Sequence, residues 1–326
     1  MAGVTDLTKI PAFPPVAARL LRLLADDDLD TLSETIRADP SLAADLLRRA
    51  KSPLYGFGGR IDTLRHALAM LGFARVRKLA MTLVAGSYLQ GATHREEFQR
   101  CRRHMLATAL LTDELAWCCS MAEDRGYIAG LLHDIGRMGL LVAHLNEYVN
   151  LLNVAGENAY DVLECERNLF GLDHCEAGRL LAEQWNLPQE LRVIAGRHHD
   201  APAGNDVDLL YLTQLGCRLA DTLGFWAVRP ACESTVEEIL SALPAEARSR
   251  FCPDLGQLRS ALEAEIAAYA GETTEPAAAP VPPEALLRTI PTHAPLPDEP
   301  GGISSALVAL IFALLGMIVT LLVISR

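Results

Sequence analysis

Seven residues of this chain suit metal-assisted chemistry and follow one another in order: His104, the doublet His133-Asp134, His174, the doublet His198-His199, and Asp221. Imidazole and carboxylate together form the ligand set of a mid-row divalent ion engaged in hydrolysis. Adjacent His and Asp can send two ligands into one site from one turn of backbone. A second pair of histidines can serve the same ion, another ion or a bound phosphate. Such an ion lowers the pKa of a bound water and neutralises phosphoryl oxygens. A single histidine on an apolar helix face is ordinarily a hydrogen-bonded core residue, so the ordered series carries the argument, not any one member. His133 and Asp134 are the candidate catalytic residues. Lys51 and Arg137 are candidate phosphate contacts.

The elements that must position these side chains all read as helices. Apolar residues recur at the 3.6-residue period over 16–24, 32–37, 41–50, 61–71, 75–89, 104–119, 127–133, 140–152, 160–169, 174–184, 188–196, 209–223, 236–243 and 258–269. Asp39-Pro40 is a helix-start signal before the third of them. His133-Asp134-Ile135-Gly136 is expected where a helix ends at a glycine. No run alternates apolar and polar residues long enough for a convincing strand. An all-α globule is the expectation.

The chain has 326 residues, half of them apolar, and a formal net charge of −12. Residues 1–100 carry 14 basic and 11 acidic side chains, whereas residues 101–326 carry 15 and 30. An acidic body repels phosphate backbones, so no general nucleic-acid binding is expected. Arg48, Arg49 and Lys51, with Arg75, Arg77 and Lys78, form two basic clusters that read as solvated helix faces. The eight cysteines contain no C-x-x-C pair and are expected to be free, mostly buried thiols in a reducing compartment.

Residues 271–302 hold eight prolines among 32 residues and read as an extended, disordered linker. Residues 303–324, ISSALVALIFALLGMIVTLLVI, contain no charge. At ~1.5 Å per residue this segment is ~33 Å long, enough for a bilayer core. It is expected to be a single C-terminal transmembrane helix. With no signal-like segment at the N-terminus, the body is placed on the cytoplasmic face of a bacterial inner membrane.

Five stretches carry a family resemblance: IPAFPPVAARLLRLL (10–24), IRADPSLAADLLRRAKSPLYG (36–56), IDTLRHALAMLGFARVRKLA (61–80), YIAGLLHDIGRMGLLV (127–142) and LDHCEAGRLLAEQWNLP (172–188). With His104 upstream and His198-His199-Asp200 downstream, the chain resembles the HDOD (HD-related output domain) family within the HD superfamily of metal-dependent phosphohydrolases. The resemblance implies an HDOD domain over 7–225, with an N-terminal helical part (7–95) and an HD-like part (96–225). Residues 226–270 would add further helices. It also implies a ligand set of His104, His133, Asp134 and Asp221, with His174, His198 and His199 matching the extra ligands of two-metal relatives. The metal would be Mn, Fe, Mg or Zn. The sequence departs from the HD-GYP relatives at 198–206, HHDAPAGND, which lacks the Gly-Tyr-Pro element, and from the usual HDOD pattern at Lys51, where Asn is typical.

Two functions follow from the resemblance. One is a membrane-anchored signalling module that works through contacts with other signalling proteins, with metal in a structural role. The other is a phosphohydrolase acting on a nucleotide or phosphodiester. The first is favoured, because retained ligand residues are necessary for chemistry but do not by themselves establish it.

Overall fold

The computed structural model describes residues 10, 14–23, 28–51, 63–87, 95–121, 125–158, 160–201, 207–230, 234–251 and 254–270. The chain divides into two units, Met1–Thr289 and Ile290–Arg326, and the second lies wholly outside the described residues. The linker expected at 271–302 and the membrane span expected at 303–324 therefore fall outside the described residues. Among the described residues no helix is long and apolar enough to cross a membrane.

The described residues are all-helical, with no strand among them. Five helices come first: α1 (Pro15–Arg22), α2 (Leu29–Arg37), α3 (Pro40–Ala50), α4 (Leu64–Leu71) and α5 (Phe73–Ser87). The helices that carry the candidate ligands follow: α6 (Glu96–Cys118), α7 (Arg125–Leu132), α8 (Ile135–Ala143), α9 (Leu145–Asn158), α10 (Val162–Phe170), α11 (His174–Gln184), α12 (Gln189–Arg197) and α13 (Leu209–Thr222). Three more, α14 (Val236–Ser241), α15 (Ala245–Arg250) and α16 (Leu255–Ala270), complete the body. Aspartate begins many of these helices. Asp28, Asp39, Asp161, Asp173 and Asp208 each accept a backbone N–H of the first turn, which satisfies donors that the helix itself leaves unpaired.

One large apolar cluster joins α1–α5 to α6, α7 and α11–α16, through residues such as Leu20, Leu46, Leu79, Leu111, Tyr127, Leu212, Ile239 and Ile266. A smaller cluster, around Phe98, Met138, Tyr148 and Phe170, packs α8–α10 against α6 and α11. Helix α6 belongs to both clusters and packs against α7 and α13. Two guanidinium groups fasten the C-terminal end of α16. Arg49 donates to the carbonyls of Ala268 (3.1 Å) and Tyr269, and Arg102 donates to the carbonyl of Tyr269 (3.2 Å).

Several helix boundaries differ from the sequence expectation: α6 begins at Glu96 rather than at 104, and three further differences stand out. The segment expected as one helix over 140–152 is broken at His144 (φ −138°, ψ 52°), between α8 and α9, where its ring packs on Phe170. The helix α15 was not expected, because AEARSR offers only Ala247 to the core. At the His-Asp motif the helix ends at Leu132, before the doublet, and Gly136 lies inside the first turn of α8. This glycine serves a helix crossing: a Cβ there would run into the carbonyl oxygen of His174 and the amide of Gly178 on α11. The basic clusters are also used internally, in part. Besides Arg49, the buried Arg77 donates to the carbonyl of Leu23, and Lys78 pairs with Asp113 at 2.5 Å.

Candidate metal centre

The break between α7 and α8 places His133 and Asp134 in a turn beneath α6, α11 and the end of α12. His104 comes from α6, His174 opens α11, and His198 and His199 close α12. All except His199 are buried. The His133 ring lies 5.3 Å from that of His104 and 4.9 Å from that of His198. His199 is exposed; its ring lies tilted 4.4 Å from that of His198 and edge-on 5.0 Å from that of His174. Of the residues expected to converge, His104, His133, Asp134, His174 and His198 are therefore neighbours, with His199 at their solvent edge.

Backbone carbonyls orient three of the imidazoles in the same way. Nδ1 of His104 meets the carbonyl of Phe225 at 2.9 Å, and Nδ1 of His133 meets that of Gly130 at 2.6 Å. Nδ1 of His198 meets those of Ile194 and Ala195, both at 3.2 Å. A carbonyl only accepts, so each Nδ1 must carry the hydrogen and each Nε2 keeps a bare lone pair. Burial pushes the pKa of all three downward, which keeps them neutral at pH 7. The Nε2 atoms of His104 and His133 face each other at 3.3 Å. His198 Nε2 and Asp134 Oδ1 are buried without a hydrogen-bond partner among the described residues, and they lie 3.9 Å apart.

Several acceptors thus meet where no donor is supplied. That is costly for a buried cluster, and a cation relieves it. A carbonyl on Nδ1 with Nε2 free is also how ligating histidines are usually held. The donor set therefore fits a divalent metal, which His133 would hold together with Asp134 and His198 or with His104. Two triads have ligand atoms within 4.8 Å of one another and share His133: His133, Asp134 and His198, and His104, His133 and Cys217. A third comprises His174, Cys175 and His198.

Asp221, expected as a ligand, lies 3.3 Å from Nδ1 of His104, the nitrogen turned away from His133. One turn earlier on α13, Cys217 brings Sγ to 3.5 Å from Nε2 of the same ring. Burial, with Asp221 and Asp134 nearby, pushes the Cys217 thiol well above the usual range. Lys51, the other expected phosphate contact, is exposed at the C-terminal end of α3.

The other side of Asp134 is fully paired. Its Oδ2 accepts from Arg137 Nε at 2.6 Å. Arg137 Nη2 lies 3.1 Å from Nε2 of His174, and Arg137 Nη1 is 3.5 Å from the Tyr148 hydroxyl and 3.7 Å from Glu166. Glu166 accepts from the Tyr148 hydroxyl at 2.5 Å and from both the backbone N–H and Nδ1 of His174 at 2.7 Å. Arg137 therefore donates to the one free nitrogen of His174. The buried Arg137 binds protein groups, and His174, expected as a second-metal ligand, has its Nε2 taken by the guanidinium. Burial opposes the charge on Glu166, but His174, Arg137 and Tyr148 outweigh it and hold the carboxyl below its usual range. The sequence did not single out Glu166, Tyr148, Cys175 or Cys217. The only sign of Glu166 is an acid on a helix that ends just before His174.

The HDOD domain model matches residues 10–201 of the chain. The chain belongs to the HDOD family. Its fold is shared with an HDOD domain protein of unknown function from Geobacter sulfurreducens, at 21% identity and a TM-score of 0.67, over 83% of this chain and 94% of that one. It is shared also with a candidate signal-transduction protein from Marinobacter aquaeolei VT8, at 24% identity and a TM-score of 0.64, over 80% of this chain and 60% of that one. A candidate phosphohydrolase from Shewanella amazonensis SB2B aligns at 21% identity and a TM-score of 0.58, over 81% and 93% of the two chains. An uncharacterized protein of Treponema pallidum (strain Nichols) is 26% identical over 210 residues, and this HDOD chain spans 40% of that relative's length. His104, Asp134 and His198 lie inside the matched HDOD region, whereas Cys217 and Asp221 follow it.

Proposed function

We propose that this HDOD protein is a signal-transduction module that acts through contacts with other signalling proteins. Its buried centre holds one divalent metal, from the set Mn, Fe, Mg and Zn, in a structural role. Residues 303–324 fasten it to the cytoplasmic face of the inner membrane. One observation carries the structural reading of the metal: His104, His133, Asp134 and His198 are only 4%, 1%, 1% and 3% exposed. A hydrolytic metal keeps a coordination position open to water and substrate, and these ligands are enclosed by helices instead. The Marinobacter relative's description as a candidate signal-transduction protein agrees with this reading.

The test uses the full chain, purified in detergent. Metal analysis is expected to find one ion per chain. A panel of cyclic and linear nucleotides with Mn²⁺ is expected to show no turnover, and membrane fractionation should lose the protein when 303–326 is deleted. Turnover that disappears in Asp134→Ala would overturn the scaffold reading. Full-length protein that stays soluble without detergent would overturn the anchor.

A specific observation favours the second reading, a phosphohydrolase. Asp221 lines a surface cavity of about 410 Å³ together with Arg218, Trp226 and Arg229. An indole and two guanidinium groups suit a base and a phosphate. Under this reading the bound metal would activate water, and a small nucleotide would enter past Asp221.

A further inference from the structure

We propose that Cys217 is a ligand of the metal centre, and that with His104 and His133 it makes this a soft-donor site that prefers a zinc-like ion to magnesium. The inference rests on the metal reading above and adds to it the identity of one donor and the class of ion.

The distances support it first. A tetrahedral zinc has Zn–N of ~2.05 Å and Zn–S of ~2.3 Å, which sets two nitrogen ligands ~3.3 Å apart and a nitrogen and a sulfur ~3.6 Å apart. His104 Nε2 to His133 Nε2 is 3.3 Å, and His104 Nε2 to Cys217 Sγ is 3.5 Å. Both edges fit without rearrangement.

A distance of 3.5 Å also suits an S–H···N hydrogen bond, so a count of hydrogens is needed. His104, His133 and His198 have each committed the Nδ1 hydrogen to a carbonyl. Cys217 brings one hydrogen. It can satisfy one lone pair, which leaves the His133 nitrogen facing another acceptor and leaves His198 Nε2 and Asp134 Oδ1 with none. A cation in the His104, His133 and Cys217 triad takes both facing imidazole lone pairs and the sulfur at once, on the side of His133 away from His198 and Asp134. On coordination the Sγ proton leaves to solvent and the sulfur lone pair forms the bond.

The donor chemistry then selects the ion. Imidazole and thiolate suit zinc and comparable borderline ions, whereas magnesium demands oxygen ligands in octahedral array. Asp221, four residues beyond Cys217 on α13, lies 3.3 Å from the opposite nitrogen of His104, whose hydrogen goes to the Phe225 carbonyl. Cys217 and Asp221 thereby flank one imidazole on both sides.

Cobalt(II) is the probe. The full chain in detergent, stripped and reloaded with Co²⁺, is expected to show a thiolate-to-cobalt charge-transfer band in the near ultraviolet, removed by stoichiometric Zn²⁺ and unaffected by excess Mg²⁺. Cys217→Ser should abolish the band and weaken zinc binding at least ~10-fold, while Cys175→Ala keeps both. Cobalt uptake by the wild type without such a band overturns Cys217 as a ligand and leaves the metal centre standing. A band lost in Cys175→Ala and kept in Cys217→Ser overturns it as well. No cobalt uptake at all defeats the centre itself. The wild-type spectrum decides even if Cys217→Ser fails to fold.

Discussion

The two oxygens of Asp134 face opposite electrostatic situations. Oδ2 belongs to a closed circuit, in which Arg137, His174, Glu166 and Tyr148 each have a counterpart for their hydrogens and charges. Oδ1 faces the Nε2 atoms of His174 (3.5 Å) and His198 (3.9 Å) and neighbours His133, yet receives no hydrogen bond. Both sides are buried to the same degree, so burial does not separate them. What separates them is whether the chain itself provides the cation. Arg137 fills that role on one side, and the other is left for an ion. A fold can thus mark where the proposed metal would go by supplying a guanidinium next to that place and not in it.

The largest effect should come from breaking the closed side. Arg137→Met leaves Asp134 and Glu166 buried without their cation, at an expected cost of about 3–5 kcal/mol in denaturant unfolding. A loss below about 1 kcal/mol would show that the two sides are alike. Gly136→Ala should cost about 1–3 kcal/mol, because the new methyl group must push α8 from α11 and so part Arg137 from His174. Retained stability in that variant would mean that the crossing does not set the circuit.

The acid limb of the stability curve sharpens the comparison with a smaller effect. Glu166 is held below its usual pKa, so its contribution is complete above the unfolded-state value of ~4.3 and is lost as pH falls through the lower folded value. Wild-type stability should decline as pH falls below ~4, and Glu166→Gln should flatten that part of the profile. Equal slopes in the two proteins would mean that the circuit does not hold the charge. The smallest change should be at the surface, where Arg179 bridges Glu176 and Glu183 at 2.7 and 2.5 Å. Arg179→Ala should alter stability by less than about 0.5 kcal/mol, which sets the scale for what partnering means once it is buried.

Much of this was legible in the residues themselves. Asp39-Pro40 announces α3, the apolar period marks most helices, and the His-Asp doublet locates the centre. The break at His144 was not legible, because the apolar spacing runs through it. Gly136 reads as a helix end, and only the proximity of Gly178, 42 positions away, shows that it makes room for a crossing. Cys217 looks like core filler on an apolar helix, since its contact with His104 spans 113 residues. Asp134 is instructive in retrospect. It stands at the N-cap of α8, a position from which six other aspartates cap their helices, yet it makes no cap bond. A residue that leaves its favoured local role is committed elsewhere.

The arginine clamp on α16 has a mechanical side. Tyr269 is the last side chain described before the chain continues to residue 326. A pull applied anywhere beyond it arrives first at the carbonyls that Arg49 and Arg102 hold. One grip belongs to α3 and the other to α6, so the force divides between the N-terminal helices and the helix that carries His104. Under the proposed mooring of residues 303–324, load on the tail would be passed to the helix that forms one wall of the candidate metal centre.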